Sequence, residues 1–247
     1  MTHQLFLAPA DVLSGVQVGG PVRLDGAEGR HAVTVVRVRP GELFHLADGA
    51  GRRVLVEAET VAKAAVHGRV VEVSDEPAAD PRFVLVQALA KGGRDEQAVE
   101  TATELGADEV VPWQAERCVA VWRGDRAEKS LARWRAVVTR ATKQSRRSRM
   151  PLTSAPVHLA ALVGRVRRSA LTVVLHEGAT EPLTAVGLPG SGDVLVVVGP
   201  EGGITDRELA ALADAGARPV RLGPTILRTS SAGPAALAVL SARSRWA

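Results

Sequence analysis

Val194-Leu195-Val196-Val197-Val198-Gly199-Pro200-Glu201-Gly202-Gly203 reads as an apolar strand running into a glycine-proline loop, and Val220-Arg221-Leu222-Gly223-Pro224-Thr225-Ile226-Leu227-Arg228-Thr229 repeats the pattern downstream. Glycine has no side chain to keep a ligand away from backbone N–H and C=O groups, and proline holds the turn rigid. In an open α/β sheet, ligands bind at the carboxyl ends of the strands, where such loops lie. Alone, the Gly199–Gly203 loop could be only a tight strand-to-helix connection. The companion loop changes that balance.

The 247 residues suit one large domain or two modest ones, and 46% hydrophobic content supplies material for packed cores. Aromatic residues are only 3%, with no Tyr, which argues against a binding face built on stacked bases; Trp113, Trp122, Trp134 and Trp246 are the large anchors. The net charge is only +4, yet between Arg123 and Arg149 ten Lys or Arg stand against two acidic residues, a local charge of +8. Such a run is either a solvated helix face or a contact for nucleic acid. The single cysteine, Cys118, excludes an intramolecular disulfide and a multi-cysteine zinc site. With no signal-peptide pattern and no run near the roughly twenty apolar residues of a membrane span, a cytoplasmic protein without membrane association is expected.

Residues 1–73 predict a small β-barrel: short apolar runs at Pro21–Leu24, Glu42–Leu46, Arg53–Ala58 and Val66–Val73 are separated by Asp25-Gly26, Pro40-Gly41 and Asp48-Gly49. Residues 74–81, acidic and with two prolines, read as a linker, and 82–247 as a second domain. There, strands at Phe83–Leu89, Glu109–Pro112, Ala170–His176, Asp193–Val198 and Arg218–Leu222 alternate with helices at Asp95–Leu105 and Arg126–Arg146 and after the last two strands. That order is the signature of a parallel sheet with crossover helices. In the long helix, Leu131, Trp134, Val138 and Ala141 share one face, while Arg133, Arg140, Lys143 and Arg147 share another. Thr205 with Glu208 forms a capping box, so a helix starts at Asp206.

Several common α/β enzymes are excluded. There is no Gly-x-Gly-x-x-Gly dinucleotide loop, no Walker-type phosphate loop, no paired-histidine metal motif and no Gly-x-Ser-x-Gly nucleophile turn.

Taken together, the chain resembles the ribosomal RNA small-subunit methyltransferase E family, within the SPOUT class of knotted methyltransferases. The resemblance rests on Arg30-His31-Ala32-Val33 with Pro40-Gly41-Glu42, then Lys91-Gly92, Glu104-Leu105-Gly106-Ala107, Glu116-Arg117 and Gln144-Ser145-Arg146-Arg147, then Leu175-His176-Glu177 and the two glycine loops. The pattern departs at Thr229-Ser230-Ser231-Ala232, where relatives often carry Glu at the second position, so no carboxylate role transfers there. Relatives also often pair two histidines where this chain has His31-Ala32. The resemblance implies a short helix over His31–Val38, although period-two alternation alone reads as a strand.

The same resemblance implies a PUA-like RNA-binding barrel, a trefoil knot in the C-terminal part, and S-adenosyl-L-methionine as cofactor. The implied donor contacts are Leu175, His176 and Glu177 in one loop, Gly199, Pro200, Glu201 and Gly202 in the next, and Leu222, Gly223, Ile226, Leu227, Thr229, Ser231 and Ala232 in the last. The implied reaction moves a methyl group to N3 of a uracil in 16S ribosomal RNA and needs no metal. The N3 proton must leave, and a cation near O2 or O4 would stabilise the anion. Arg228 is the candidate, with Glu201 orienting it or the substrate; the other reading of Arg228 is a structural salt bridge. His176 is either packing or a base. Arg30, His31, Arg37, Lys91, Arg94, Arg117, Arg140, Lys143, Arg146 and Arg147 are the expected phosphate contacts, with Arg117 alternatively pairing with Glu116. The class implies a homodimer. Rival readings are a SPOUT enzyme acting on transfer RNA or a ribose hydroxyl, and a non-catalytic RNA-binding protein.

Overall fold

Short apolar runs broken by Gly-containing turns dominate the first part of the chain, and continuous Val/Leu runs alternating with helices dominate the rest. In the computed structural model, which describes residues 3–246, these become two compact units: Met1–Ala78 with Thr142–Met150, and Ala79–Ala141 with Pro151–Ala247.

The first unit contains β1 (Leu5–Leu7), α1 (Ala10–Leu13), β2 (Pro21–Leu24), α2 (Gly26–His31), β3 (Leu43–Ala47), β4 (Arg52–Val61) and β5 (Val66–Asp75). Its sheet has the order β1-β3-β4-β5-β2, with β1 parallel to β3 and the other pairs antiparallel. Alternate residues such as Val54, Val56 and Ala58 face a core with Phe6, Leu13, Phe44 and Leu46. Strand β5 continues to Asp75, two residues into the stretch expected as linker. After α2 the chain makes one π-helical turn, Ala32–Val36, where alternation alone would have given a strand. Helical winding puts Ala32, Val33 and Val36 on the core and leaves Val35 exposed.

The second unit contains β6 (Arg82–Ala88), α3 (Arg94–Glu104), β7 (Glu109–Trp113), α4 (Asp125–Gln144) up to Ala141, β8 (Leu152–Thr153), α5 (Leu159–Val166), β9 (Leu171–Leu175), β10 (Asp193–Val198), α6 (Asp206–Asp214), β11 (Arg218–Val220) and α7 (Thr229–Ala242). All six strands are parallel, in the order β11-β9-β10-β6-β7-β8. Both faces of the sheet are covered, which is why its strands are apolar throughout rather than alternating. On one face Phe83, Leu85, Val194 and Val196 meet α3, α4 and α7; on the other Val84, Val86, Leu195 and Val197 meet α5 and α6. Trp134 of α4 is buried and meets Trp122 edge-on at 5.5 Å. Among the described residues, no helix is long and apolar enough to cross a membrane.

At the amino end of this sheet, Glu109 is buried with its charge matched. One carboxylate oxygen accepts from Ser154 Oγ at 2.6 Å and Arg165 Nη1 at 2.7 Å, the other from Arg82 Nη2 at 3.1 Å. Burial alone would raise the carboxyl, but the bonds from Ser154 and Arg165 and the charges of Arg165 and Arg82 overcome it and hold it below the ordinary range. Its stabilisation is therefore complete above the unfolded-state value, about 4.3, and is lost as pH falls through the lower folded-state value. Urea unfolding of wild type and Glu109→Gln across acid pH should show the variant less stable at neutral pH and the two converging on acidification. Parallel pH dependences would contradict this role.

Candidate functional site

The parallel register decides where the loops lie. Val198 at the end of β10 pairs with Leu175 at the end of β9 and with Gln87 of β6, and Val220 at the end of β11 also pairs with Leu175. Three strands thus finish in one row. The segments that leave them, Leu175–Glu177, Gly199–Ile204 and Arg221–Arg228, surround a single cleft of about 660 Å³. That lies within the range of about 300–1,000 Å³ usual for small-molecule sites.

The loops are tied from within. The Thr229 hydroxyl, at the first residue of α7, donates to the Gly199 carbonyl at 2.9 Å and accepts from Gln87 Nε2 at 2.8 Å. Gly203 holds a left-handed φ of 76°, which glycine adopts without strain, and its amide closes a turn onto Pro200 O at 2.9 Å. The capping box forms as the sequence indicates: Glu208 N bonds Thr205 Oγ1 at 3.2 Å while Thr205 N bonds Glu208 Oε2 at 3.0 Å. The other Glu208 oxygen accepts the Glu116 amide at 2.9 Å, which fixes the segment after β7 against α6.

Charge gathers on the rim. Arg94 Nη1 meets Glu201 Oε1 at 3.0 Å, and Arg117 Nη1 donates to the Gly202 carbonyl at 3.2 Å. Glu201 is therefore engaged by Arg94 rather than by Arg228, and Glu116 pairs with Arg207 rather than with Arg117. Arg228, the N-cap of α7, is exposed, and among the described residues no carboxylate lies within 4.0 Å of it; the salt-bridge alternative does not form. His176 Nδ1 accepts the Gly178 amide at 3.1 Å, which closes a local turn. Burial pushes the Cys118 thiol up to about 11, leaving it un-ionised near neutral pH.

Of the expected donor contacts, all but Ser231 line the cleft. The reason is helical: α7 begins at Thr229, so Ala232 returns to the same side one turn on, while Ser231 is turned away and exposed. Sequence reading missed Val198, Ile204, Asp206, Val220, Arg221 and Thr225, which also line it, and the brace at Gln87. A polar residue closing the run Phe83-Val84-Leu85-Val86 was the available signal.

The expected phosphate contacts divide. Arg94 and Arg117 line the cleft. Lys91 and Arg140 are exposed in the second unit, and Arg30, Arg37 and Arg146 in the first. Two of these, Arg37 and Arg146, hold left-handed φ values of 62° and 58°. Lys143 is instead paired with Glu28 at 2.7 Å, which neutralises it. His31 packs edge-on near Phe6, with ring centroids 6.1 Å apart, and Arg147 is half-buried.

Residues 78–241 match the family described as RNA methyltransferase domain. The chain is 48% identical to ribosomal RNA small subunit methyltransferase E of Mycobacterium bovis, over 92% of this chain and 89% of that one. It is 30% identical to the protein of the same name from Bacillus subtilis, over 88% of each. Among solved structures, ribosomal RNA small subunit methyltransferase E from Neisseria gonorrhoeae, bound to S-adenosyl methionine, is similar with a TM-score of 0.84 at 28% identity, covering 98% of both chains.

The loop's own packing requires glycine at 199 and leaves little room at 202. A Cβ on Gly199 would sit 2.6 Å from Ile204 Cγ1, and one on Gly202 would sit 3.1 Å from Arg117 Cβ. The overlap expected with a ligand is thus first an overlap with the protein itself. Gly199→Ala should cost about 1–3 kcal/mol in denaturant unfolding. In an Ile204→Ala background the same change should cost little, because the atom it strikes is gone. Equal costs in both backgrounds would contradict the packing argument.

Proposed function

Because the chain belongs to the ribosomal RNA small subunit methyltransferase E family of RNA methyltransferases, we propose that it transfers a methyl group from S-adenosylmethionine to N3 of a uridine in 16S ribosomal RNA. Methylation of small-subunit ribosomal RNA with that donor is the family's activity and this chain's. The target atom and the residue roles are our own reading.

The residues present fit the donor. Leu175, Val198, Leu222, Ile226 and Leu227 give the cleft an apolar wall suited to adenine, and glycine-rich backbone supplies hydrogen-bonding groups without side chains in the way. Ile226, 80% exposed at the rim, is an apolar side chain that a bound base would cover. Arg94, Arg117 and Glu201 place both signs of charge where a zwitterionic amino-acid tail would lie.

When bound, S-adenosylmethionine supplies an electrophilic methyl group on sulfur. The chain's task is to align the uracil and to stabilise negative charge as N3 loses its proton. Arg228 is the observation that carries this reading: it lines the cleft, is exposed, and among the described residues has no carboxylate within 4.0 Å to neutralise it. A preformed cation beside O2 or O4 lowers the cost of the anion without reorganisation. Glu201, held by Arg94, shapes the loop and takes no part as base. Arg30, Arg37, Lys91, Arg140 and Arg146 are exposed cations that would grip phosphates and set affinity rather than base choice.

We read the five-stranded first unit as a PUA-like RNA-binding barrel, and the C-terminal crossing as a trefoil knot. The connection from β9 to β10 bonds across to Arg221, through Leu183 N to Arg221 O and Arg221 N to Glu181 O, both at 2.9 Å. Arg243 at the end of α7 then bonds Val186 O of the same connection at 2.9 Å. The exposed rim pair Ile226 and Leu227 supports a homodimer in which a second copy covers the cleft's edge.

Purified protein, S-adenosylmethionine and small subunits lacking the modification should yield a discrete stop in primer extension, because an N3-methyl blocks pairing. Arg228→Ala should lower the transfer rate about 100-fold or more while leaving donor affinity nearly unchanged. A methyl group on a ribose, which gives no such stop, or an unchanged rate in the variant, would overturn the reading.

A further inference from the structure

Strand β6 is apolar from Phe83 to Val86 and then places Gln87, 0% exposed, beside Val198. Its Nε2 donates to Thr229 Oγ1 at 2.8 Å and to the Ala88 carbonyl at 3.2 Å. A carbonyl can only accept, so the amide nitrogen must face Ala88, and the orientation of the side chain is fixed. The other end, Oε1, is buried and has no hydrogen-bond partner among the described residues. An amide set this deep, with half its capacity unused, is costly for the fold relative to an apolar residue of the same shape.

What the amide does is settle a proton. The Thr229 hydroxyl has one hydrogen, and by receiving from Gln87 it is left to donate to the Gly199 carbonyl at 2.9 Å. One chain of bonds therefore joins the end of β6, the first residue of α7 and the first residue of the glycine loop. Gln87 does not itself line the cleft, whereas Gly199, Arg228 and Thr229 do. Arg228 is the residue immediately before Thr229, with φ −64° and ψ 150°, so the direction in which it leaves the helix follows from where Thr229 is pinned.

We propose that Gln87 is a positioning residue for methyl transfer: through Thr229 it holds the Gly199 carbonyl and the root of Arg228 in the relative placement that donor binding and charge stabilisation require. This inference rests on the reading of the cleft as the donor site and of Arg228 as the stabilising cation. Gln87 touches neither reactant, and it acts by fixing which way the Thr229 hydroxyl points.

The test is a double-mutant cycle on the full chain, with S-adenosylmethionine affinity by calorimetry and single-turnover transfer to 16S ribosomal RNA. Gln87→Leu and Thr229→Val should each weaken both by about tenfold. The double variant should be no worse than the poorer single, since both remove one chain of bonds. Thr229→Ser, which keeps the hydroxyl, should restore near wild-type behaviour. Single variants equal to wild type, or losses that multiply, would overturn the proposal while leaving the donor reading intact; a wild type that does not bind the donor would instead remove that reading. Should Gln87→Leu fail to fold, Gln87→Glu decides. Its carboxyl can donate to Thr229 only when protonated, so its activity relative to wild type should fall as pH rises. A ratio constant with pH would overturn the proposal.

Discussion

The parallel register that ends β9, β10 and β11 at Leu175, Val198 and Val220 is the constraint from which the rest of the site follows. A one-residue slip would exchange the side chains packed on the two faces of this sheet, and each face has its own packed set. The apolar runs that lock the register thereby also lock the positions of three loops. Backbone groups that would otherwise continue the ladder are released together, at one edge, around one cleft. The site's polar character comes from backbone and from a few charged side chains on its rim, while Leu175, Val198 and Val220 give its floor an apolar lining.

Rigidity of the loops is achieved in two physically different ways. Steric fit sets the glycine loop, where Gly199 and Gly202 leave room for Ile204 and Arg117 and for nothing more. Hydrogen bonds set its neighbours: Glu208 ties α6 to the segment after β7, and Thr229 ties α7 to the glycine loop. Arg221 and Arg228 are the exceptions on the rim. Arg94 and Glu201 satisfy one another, and Arg117 donates to a carbonyl, whereas among the described residues Arg221 and Arg228 line the cleft with no carboxylate within 4.0 Å. An uncancelled charge at the edge of an apolar wall is what a reaction that develops an anion on a planar base would use.

The readable part of this architecture is local. Asp193–Val198 stands out as a strand because six successive residues carry its signal, and the start of α6 because Thr205 and Glu208 are three residues apart. Strand β1 escapes notice, since three residues carry no periodicity, and α5 is short and flanked by no strong cap. Pairing at long separation is illegible for a different reason. Lys143 looks like one more cation on a basic face, yet Glu28, 115 residues earlier, neutralises it. Gln87 is visible as a polar break in an apolar strand, but its meaning depends on Thr229, 142 residues later. Ser231 stands outside the cleft lining because successive helical residues point in different directions, which a motif read as a string does not carry.

A crystal structure of the full chain grown with S-adenosylmethionine is the most direct measurement of the central claim. The account predicts the adenosyl group against the backbone of Gly199, Leu222 and Leu227, with the methyl group turned toward the side on which Arg228 stands. Density for the donor elsewhere on the chain, or a cleft left empty at saturating donor, would contradict it.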